Sequence, residues 1–217
     1  MKYIIAIDGP SGSGKSTISN RLAKELKIEY LNTGSMYRAT TLYFLNNSIN
    51  EDSSDKIIKE SLENIDIDFI NNEIYLNGEN VEGQIRSDLI NKNVSWVSAN
   101  GLVREKLVDM QRQIASEKSF VIDGRDIGTV VFPNAKYKFY LTASPRCRAI
   151  RRYKQNESDL DIDQLEKAII DRDNYDSNRE ISPLKKAADA IEIDSSNLDI
   201  DQTLNVLLEN IDNDDIV

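Results

Sequence analysis

Apolar residues in this chain follow two rhythms. Short unbroken runs, such as Tyr3-Ile4-Ile5-Ala6-Ile7 and Phe120-Val121-Ile122, suit strands buried on both faces of a parallel sheet. Between them lie stretches with apolar residues at helical spacing: Ile18, Leu22 and Leu26; Met36 and Phe44 with Thr40 between them; Val103, Leu107, Met110 and Ile114. The pattern predicts strands over about residues 2–8, 28–31, 119–122, 136–141 and 190–193. Helices are expected over about 15–27, through Met36–Phe44, over 86–99 and 102–117, from Pro145, and over 163–178 and 200–211. Strand alternating with helix gives an α/β fold: a doubly wound parallel sheet of five strands with helices on both faces, taking ligands at the carboxyl ends of its strands.

One segment departs from this rhythm. In IDIDFINNEIYLNGENV, residues 65–81, the apolar positions alternate through Ile65, Ile67, Phe69, Ile74 and Leu76. Asn71-Asn72 and Asn77-Gly78 are turn signals. A small antiparallel meander of roughly 30 residues is expected to interrupt the parallel pattern. The organisation expected is one domain over 1–217: a core (about 1–60, 100–150 and 180–217), an inserted segment (about 61–99) and a helical lid (about 151–178). The polar stretch 155–163 is expected to be a mobile loop, and the final NDDIV to fray.

Composition narrows the chemistry. The 217 residues include no histidine, which excludes Ser-His-Asp and Cys-His catalysis and any histidine-ligated metal. The single cysteine, Cys147, cannot form an intrachain disulfide, and no apolar run is long enough to span a bilayer. A cytoplasmic, monomeric protein with no membrane partner is the expectation. A net charge of −10 argues against a nucleic-acid partner. A small anionic ligand then needs positive residues gathered locally.

The sharpest motif is Gly9-Pro10-Ser11-Gly12-Ser13-Gly14-Lys15-Ser16-Thr17, a complete G-x-x-x-x-G-K-[ST] phosphate loop placed after a strand and opening a helix. Glycines let backbone N–H groups turn onto phosphates, and the helix N-terminus adds positive potential. Lys15 is expected to reach the β- and γ-phosphates of ATP, and Ser16 to ligate Mg²⁺. The guanine signature N-K-x-D is absent, since Asn91-Lys92-Asn93-Val94 fails at its last position. Asp123 follows an apolar strand as a Walker B aspartate does, but Gly124 stands where motors carry glutamate. A small kinase fits best.

Three cationic clusters could serve a second substrate. Thr33-Gly34-Ser35-Met36-Tyr37-Arg38 follows the second strand, where Thr33 could also cap a helix. On the helix over 163–178, the stripe that begins with Leu165 and Ile169 continues through Arg172, Asp176 and Arg179. Burying those charges is costly unless they pair or hold a ligand; a solvated helix end with i,i+4 pairs is the plainer alternative. Arg148, Arg151 and Arg152 share a helical face and suit a lid closing over a triphosphate, or a solvated basic face.

Taken together, IDGPSGSGKST, NTGSMYRA, the meander, VREKLVDMQRQIA, VIDGRDIGTVVFPNA, KFYLTASPRCRAIRRY and RDNYDSNREISPLKKAADAIEID resemble the bacterial cytidylate kinases, of the nucleoside monophosphate kinase family. The resemblance runs through nearly the whole chain, and DGRDIGTVVFP is its most specific segment. It implies transfer of phosphate from ATP, with Mg²⁺, to CMP or dCMP. It also implies that Thr33, Arg38, Ser95, Arg104, Arg125, Asp126, Arg172, Asp176 and Arg179 surround the CMP. Lys15, Arg125, Arg152 and Arg179 would act on the phosphates, Arg148 and Arg151 would join the phosphate loop around ATP, and Ser16 and, through water, Asp123 would hold the metal. One departure is Asn32, where the family has aspartate; it alters the charge around the Mg²⁺ but not the phosphate contacts. Alternatives are a phosphate-loop kinase for UMP or another small acceptor, and a nucleotide-binding switch without transfer activity.

Overall fold

The run Ile4–Asp8 forms strand β1, and its last four residues are buried, as an unalternating apolar run requires of a central strand. The structure is a computed structural model that describes residues 2–155 and 160–212. The centre of the stretch expected as a mobile loop, 156–159, and the tail 213–217 lie outside the described residues. One compact unit comprises the residues up to Asn32 and from Ile114 onward; the other is Thr33–Gln113.

In the first unit β1 pairs in parallel with β6 (Phe120–Gly124) and β7 (Tyr137–Thr142). β2 (Glu29–Asn32) adds to β6, and β8 (Ile191–Asp194) to β7, giving the order β2-β6-β1-β7-β8. The five-stranded parallel sheet is thus as expected. Its register matters for function: Asp8 pairs with Gly124 and Tyr140, and Asn32 with Asp123, so one end of the sheet collects the polar ends of its strands.

Helix α1 (Lys15–Glu25) lays Ile18, Leu22 and Ala23 on Ile5, Ile7, Phe139 and Leu141, together with Leu204 and Leu207 of α8 (Ile200–Leu208). Helices α6 (Pro145–Lys154) and α7 (Ile162–Asn178) pack together around Ala149, Leu165 and Ile169. Their starts are set locally: Ser144 accepts from Cys147 N–H, and Asp161 forms a capping box with Gln164.

The second unit holds α2 (Thr33–Asn46), α3 (Asp55–Glu63), an antiparallel sheet of β3 (Ile67–Ile70), β4 (Glu73–Leu76) and β5 (Glu79–Asn80), α4 (Asp88–Ala99) and most of α5 (Gly101–Ile114). The meander is where alternation put it. Asn71 and Asn72 both take positive φ (55° and 65°), as do Asn77 and Gly78, the signature of primed two-residue turns. Phe44 stacks on Trp96 with centroids 5.9 Å apart, joining α2 to α4.

Two elements differ from the expectations. Helix α3 was not anticipated: Ser54 caps it through Ile57 N–H, and only Ile58 and Leu62 are buried, too few apolar positions for a nine-residue helix to stand out. Ile127–Val131 forms a single π-turn, with Phe132 N–H donating to Ile127 C=O at 2.7 Å and Val131 N–H to Asp126 C=O at 3.1 Å. No helix among the described residues is long and apolar enough to cross a membrane.

Leu22 has no exposed surface at the α1–sheet contact. Leu22→Ala should therefore cost about 2–5 kcal/mol in urea unfolding.

Candidate active site

The phosphate loop leaves β1 under tight steric control. Gly9 has φ +149°, and a Cβ there would lie 2.0 Å from the Leu141 carbonyl oxygen of the neighbouring strand. Only glycine passes at that point. Gly14, also at positive φ (94°), opens α1. Lys15 is buried, with its ammonium donating to Pro10 C=O at 2.7 Å and to Ser13 Oγ at 3.5 Å. Burial, and then the positive charge of Arg125, push its pKa down to about 7, against the pull of Asp123 and Asp8.

The loop is braced from behind. Arg148 is 3% exposed and donates to Ala143 C=O (2.8 Å), Ser11 C=O (3.0 Å) and Asp173 Oδ2 (2.5 Å). One turn on, Arg151 donates to Ser13 C=O at 3.3 Å and to Ser195 C=O at 2.6 Å. Ser195, buried just after β8, donates to Thr142 C=O at 3.0 Å. Two α6 arginines therefore grip backbone carbonyls of the loop, while the adjacent Arg152 is only partly buried.

Beside the start of α1, Ser16 Oγ donates to Asp123 Oδ2 at 3.0 Å, and Tyr30 Oη to Asp123 Oδ1 at 2.9 Å. Asn32 Nδ2 lies 3.4 Å from Ser16 Oγ. Burial raises the pKa of Asp123, partly offset by Lys15, Tyr30 and Ser16. A hydroxyl and a carboxylate oxygen in contact suit a hard cation such as Mg²⁺. Among the described residues there is no group of three or more acidic, cysteine or histidine side chains that could hold a metal ion.

The third group lies at the other side of the same strand end. Arg125 Nε donates to Asp176 Oδ2 at 3.0 Å, and Arg172 Nε lies 4.0 Å from the same oxygen. Arg179 reaches to 3.9 Å of Asp126 Oδ1 and donates to Ser182 C=O at 2.5 Å. Asp126 and Asp176 are buried. Burial alone would raise the pKa of Asp176, but Arg125 and Arg172 bring it below the usual carboxylate value. The same burial, with Arg125 nearby, lowers Arg172 to about 10, so it stays charged at neutral pH. Arg172 Nε is buried and makes no hydrogen bond among the described residues. The α7 stripe thus runs from Leu165 and Ile169 into Arg172, Asp176 and Arg179, as its spacing indicated.

The remaining acceptor candidates belong to the second unit. Thr33 is buried in the first turn of α2, where the helix begins on that residue itself. Arg38 donates to Ile85 C=O and Asn91 Oδ1, each at 2.9 Å. Arg104, 4% exposed, sits 5.6 Å over the Tyr37 ring and donates to Ser98 C=O at 3.2 Å. Ser95 lies on α4, one turn before Ser98.

The cytidylate kinase family profile matches residues 5–213. This chain belongs to the cytidylate kinase family. It is 47% identical to the cytidylate kinase of Fusobacterium nucleatum over 96% of this chain and 97% of that one, and 50% identical to that of Alkaliphilus oremlandii over 94% and 95%. Among solved structures, a shikimate kinase from Bacteroides thetaiotaomicron matches with a TM-score of 0.52 at 14% identity, covering 96% of this chain and 97% of that one. An uncharacterized protein from Eubacterium ventriosum matches at 0.53 and 14%, covering 98% and 99%. These distant likenesses establish the phosphate-loop kinase fold.

Within this cytidylate kinase family member, several site residues escaped sequence reading. Asp8 read as the end of a strand and Tyr30 as part of one, while Asp173 and Ser195 were not singled out. Only Asp173 carried a signal: it lies beside Arg172 on a face that was already suspect.

Arg148 and Arg152 should separate structure from chemistry. Arg148→Ala breaks a buried ion pair and should cost roughly 3–5 kcal/mol of stability. Arg152→Ala should leave stability within about 0.5 kcal/mol and lower kcat instead. Urea unfolding beside steady-state kinetics checks both.

Proposed function

We propose that the chain transfers the γ-phosphoryl group of ATP to the phosphate of CMP or dCMP, giving ADP and CDP or dCDP. The observation that carries this reading is the meeting, at one end of the first unit's sheet, of a braced phosphate loop and a half-buried cluster of Arg125, Arg172 and Arg179. In a protein of net charge −10, such a cluster marks where a second anion is received. Family membership supplies the identity of that anion.

The chain's own residues would divide the work as follows. Gly9–Thr17 present backbone N–H groups to the polyphosphate, and Arg148 and Arg151 hold that backbone in shape. Lys15 exchanges its contact with Pro10 C=O for phosphate oxygens, which restores its full charge. Ser16 and Asp123 would hold Mg²⁺, which when bound offsets phosphate charge. Arg125, Arg172 and Arg179 receive the acceptor phosphate, while Asp126 and Asp176 face the pyrimidine and the sugar. Arg152 is the α6 arginine for which no hydrogen bond or ion pair is found among the described residues, and it would approach the transferred group. For Thr33, Arg38, Ser95 and Arg104, all carried by the second unit, the family resemblance implies contacts to CMP.

A general base is not needed. The acceptor's second phosphate pKa is about 6, so it is largely dianionic at neutral pH. Phosphoryl transfer then depends on positioning and charge stabilisation, which explains how a chain without histidine performs it.

Steady-state assays with CMP, dCMP, UMP and AMP test the assignment. CMP and dCMP should dominate; equal turnover of AMP and CMP would sink it. Lys15→Ala should lower kcat by about 100-fold or more. Asp126→Ala should raise the KM for CMP by roughly 10- to 100-fold while leaving that for ATP in place.

A further inference from the structure

Asp8 is the last residue of β1 and has no role in the reading above. It is held on both flanks, by Gly124 of β6 and Tyr140 of β7, so its backbone is one of the least movable points near the site. Its carboxylate is 4% exposed and accepts two hydrogen bonds, from Ile127 N–H to Oδ1 and from Gly128 N–H to Oδ2, both at 2.8 Å. Those amides open the π-turn that directly follows Arg125 and Asp126. The fit is close: a Cβ on Gly128 would lie 3.4 Å from Asp8 Oδ2 and 3.2 Å from Lys138 Cδ.

We infer that Asp8 is a positioning residue for the acceptor nucleotide: its two oxygens clamp the Ile127 and Gly128 amides and thereby set where Arg125 and Asp126 stand relative to the phosphate loop, which begins at the next residue. This inference rests on reading Arg125 and Asp126 as acceptor-binding.

Stability does not account for the carboxylate. Burial, against the two amides, raises its pKa from 3.8 to about 6. Between those values the folded protein binds the proton more tightly than the unfolded chain, so stability falls as pH rises through that window. At neutral pH the charge of Asp8 is a net cost to folding. It faces Asp126, which repels it, and Lys15, which attracts it. What the ionised group provides is a pair of acceptors for two consecutive donors. An asparagine offers one acceptor and sets an NH₂ against the second N–H.

Asp8→Asn separates the roles. KM for CMP should rise about tenfold or more and kcat should fall, while the Kd for ATP, measured calorimetrically without acceptor, stays within about twofold. The thermal midpoint should move by less than about 3 °C. Gly128→Ala keeps the charge but crowds the clamp, and should shift KM for CMP in the same direction by a smaller factor; it decides the matter if Asp8→Asn does not fold. Unchanged kinetics, or an equal loss for ATP and CMP, overturns the inference. Asp126→Ala serves as the control. If it raises the KM for CMP and the Asp8 and Gly128 variants do not, only the role of Asp8 is wrong. If it too has no effect, the acceptor-site reading itself has failed.

Discussion

Arg125, Arg172 and Arg179 are gathered against Asp126 and Asp176 with little access to water. Taking such charges out of solvent costs several kcal/mol per ion, and mutual pairing repays this only with good geometry. Asp176 meets Arg125 at 3.0 Å, but Arg172 and Arg179 stand 4.0 and 3.9 Å from their carboxylates. Among these five groups three cations face two anions, a balance that would suit an arriving phosphate. As the proposed acceptor site, the cluster would be organised before its ligand comes, which is the condition for electrostatic catalysis at low reorganisation cost.

The rest of the first unit follows from that demand. A parallel sheet places all its strand ends on one side, so β1 can deliver the phosphate loop where β6 delivers Asp123, Arg125 and Asp126. Helix α7 changes from apolar to charged along a single face, so the Leu165–Ile169 contact with α6 also sets the position of Arg172 and Asp176. Arg148 ties α7 to the loop through Asp173 and Ser11. Burial and Arg125 depress Lys15 to about 7, and phosphate oxygens beside it would oppose that shift. Donor binding and acceptor binding thus draw on neighbouring charges.

Much of this was legible in the sequence. The central strands β1 and β6 showed as unbroken apolar runs because both their faces are covered. The meander showed as alternation, and its turns as Asn-Asn and Asn-Gly. The phosphate loop and the α7 stripe were visible because steric need and helical period both leave marks on residue type. What was not legible has physical reasons. Asp8 looks like any polar strand terminus, since its partners are backbone amides more than 100 residues away, which have no sequence identity of their own. The π-turn over Ile127–Val131 is built, apart from Gly128, from Ile, Thr and two Val, residues that favour extended structure, and tertiary hydrogen bonding overrides that preference. The bracing roles of Arg148 and Arg151 likewise depend on backbone carbonyls, so spacing disclosed the basic face but not what it grips.

On this account the half-buried arginine cluster receives the acceptor's phosphate. Calorimetric titration of the enzyme with CMP and with cytidine, both without ATP, addresses it directly. The two ligands share base and sugar and differ in the phosphate alone. CMP should bind at least about 100-fold more tightly than cytidine, the equivalent of two charge-assisted contacts. Equal affinities would contradict the account.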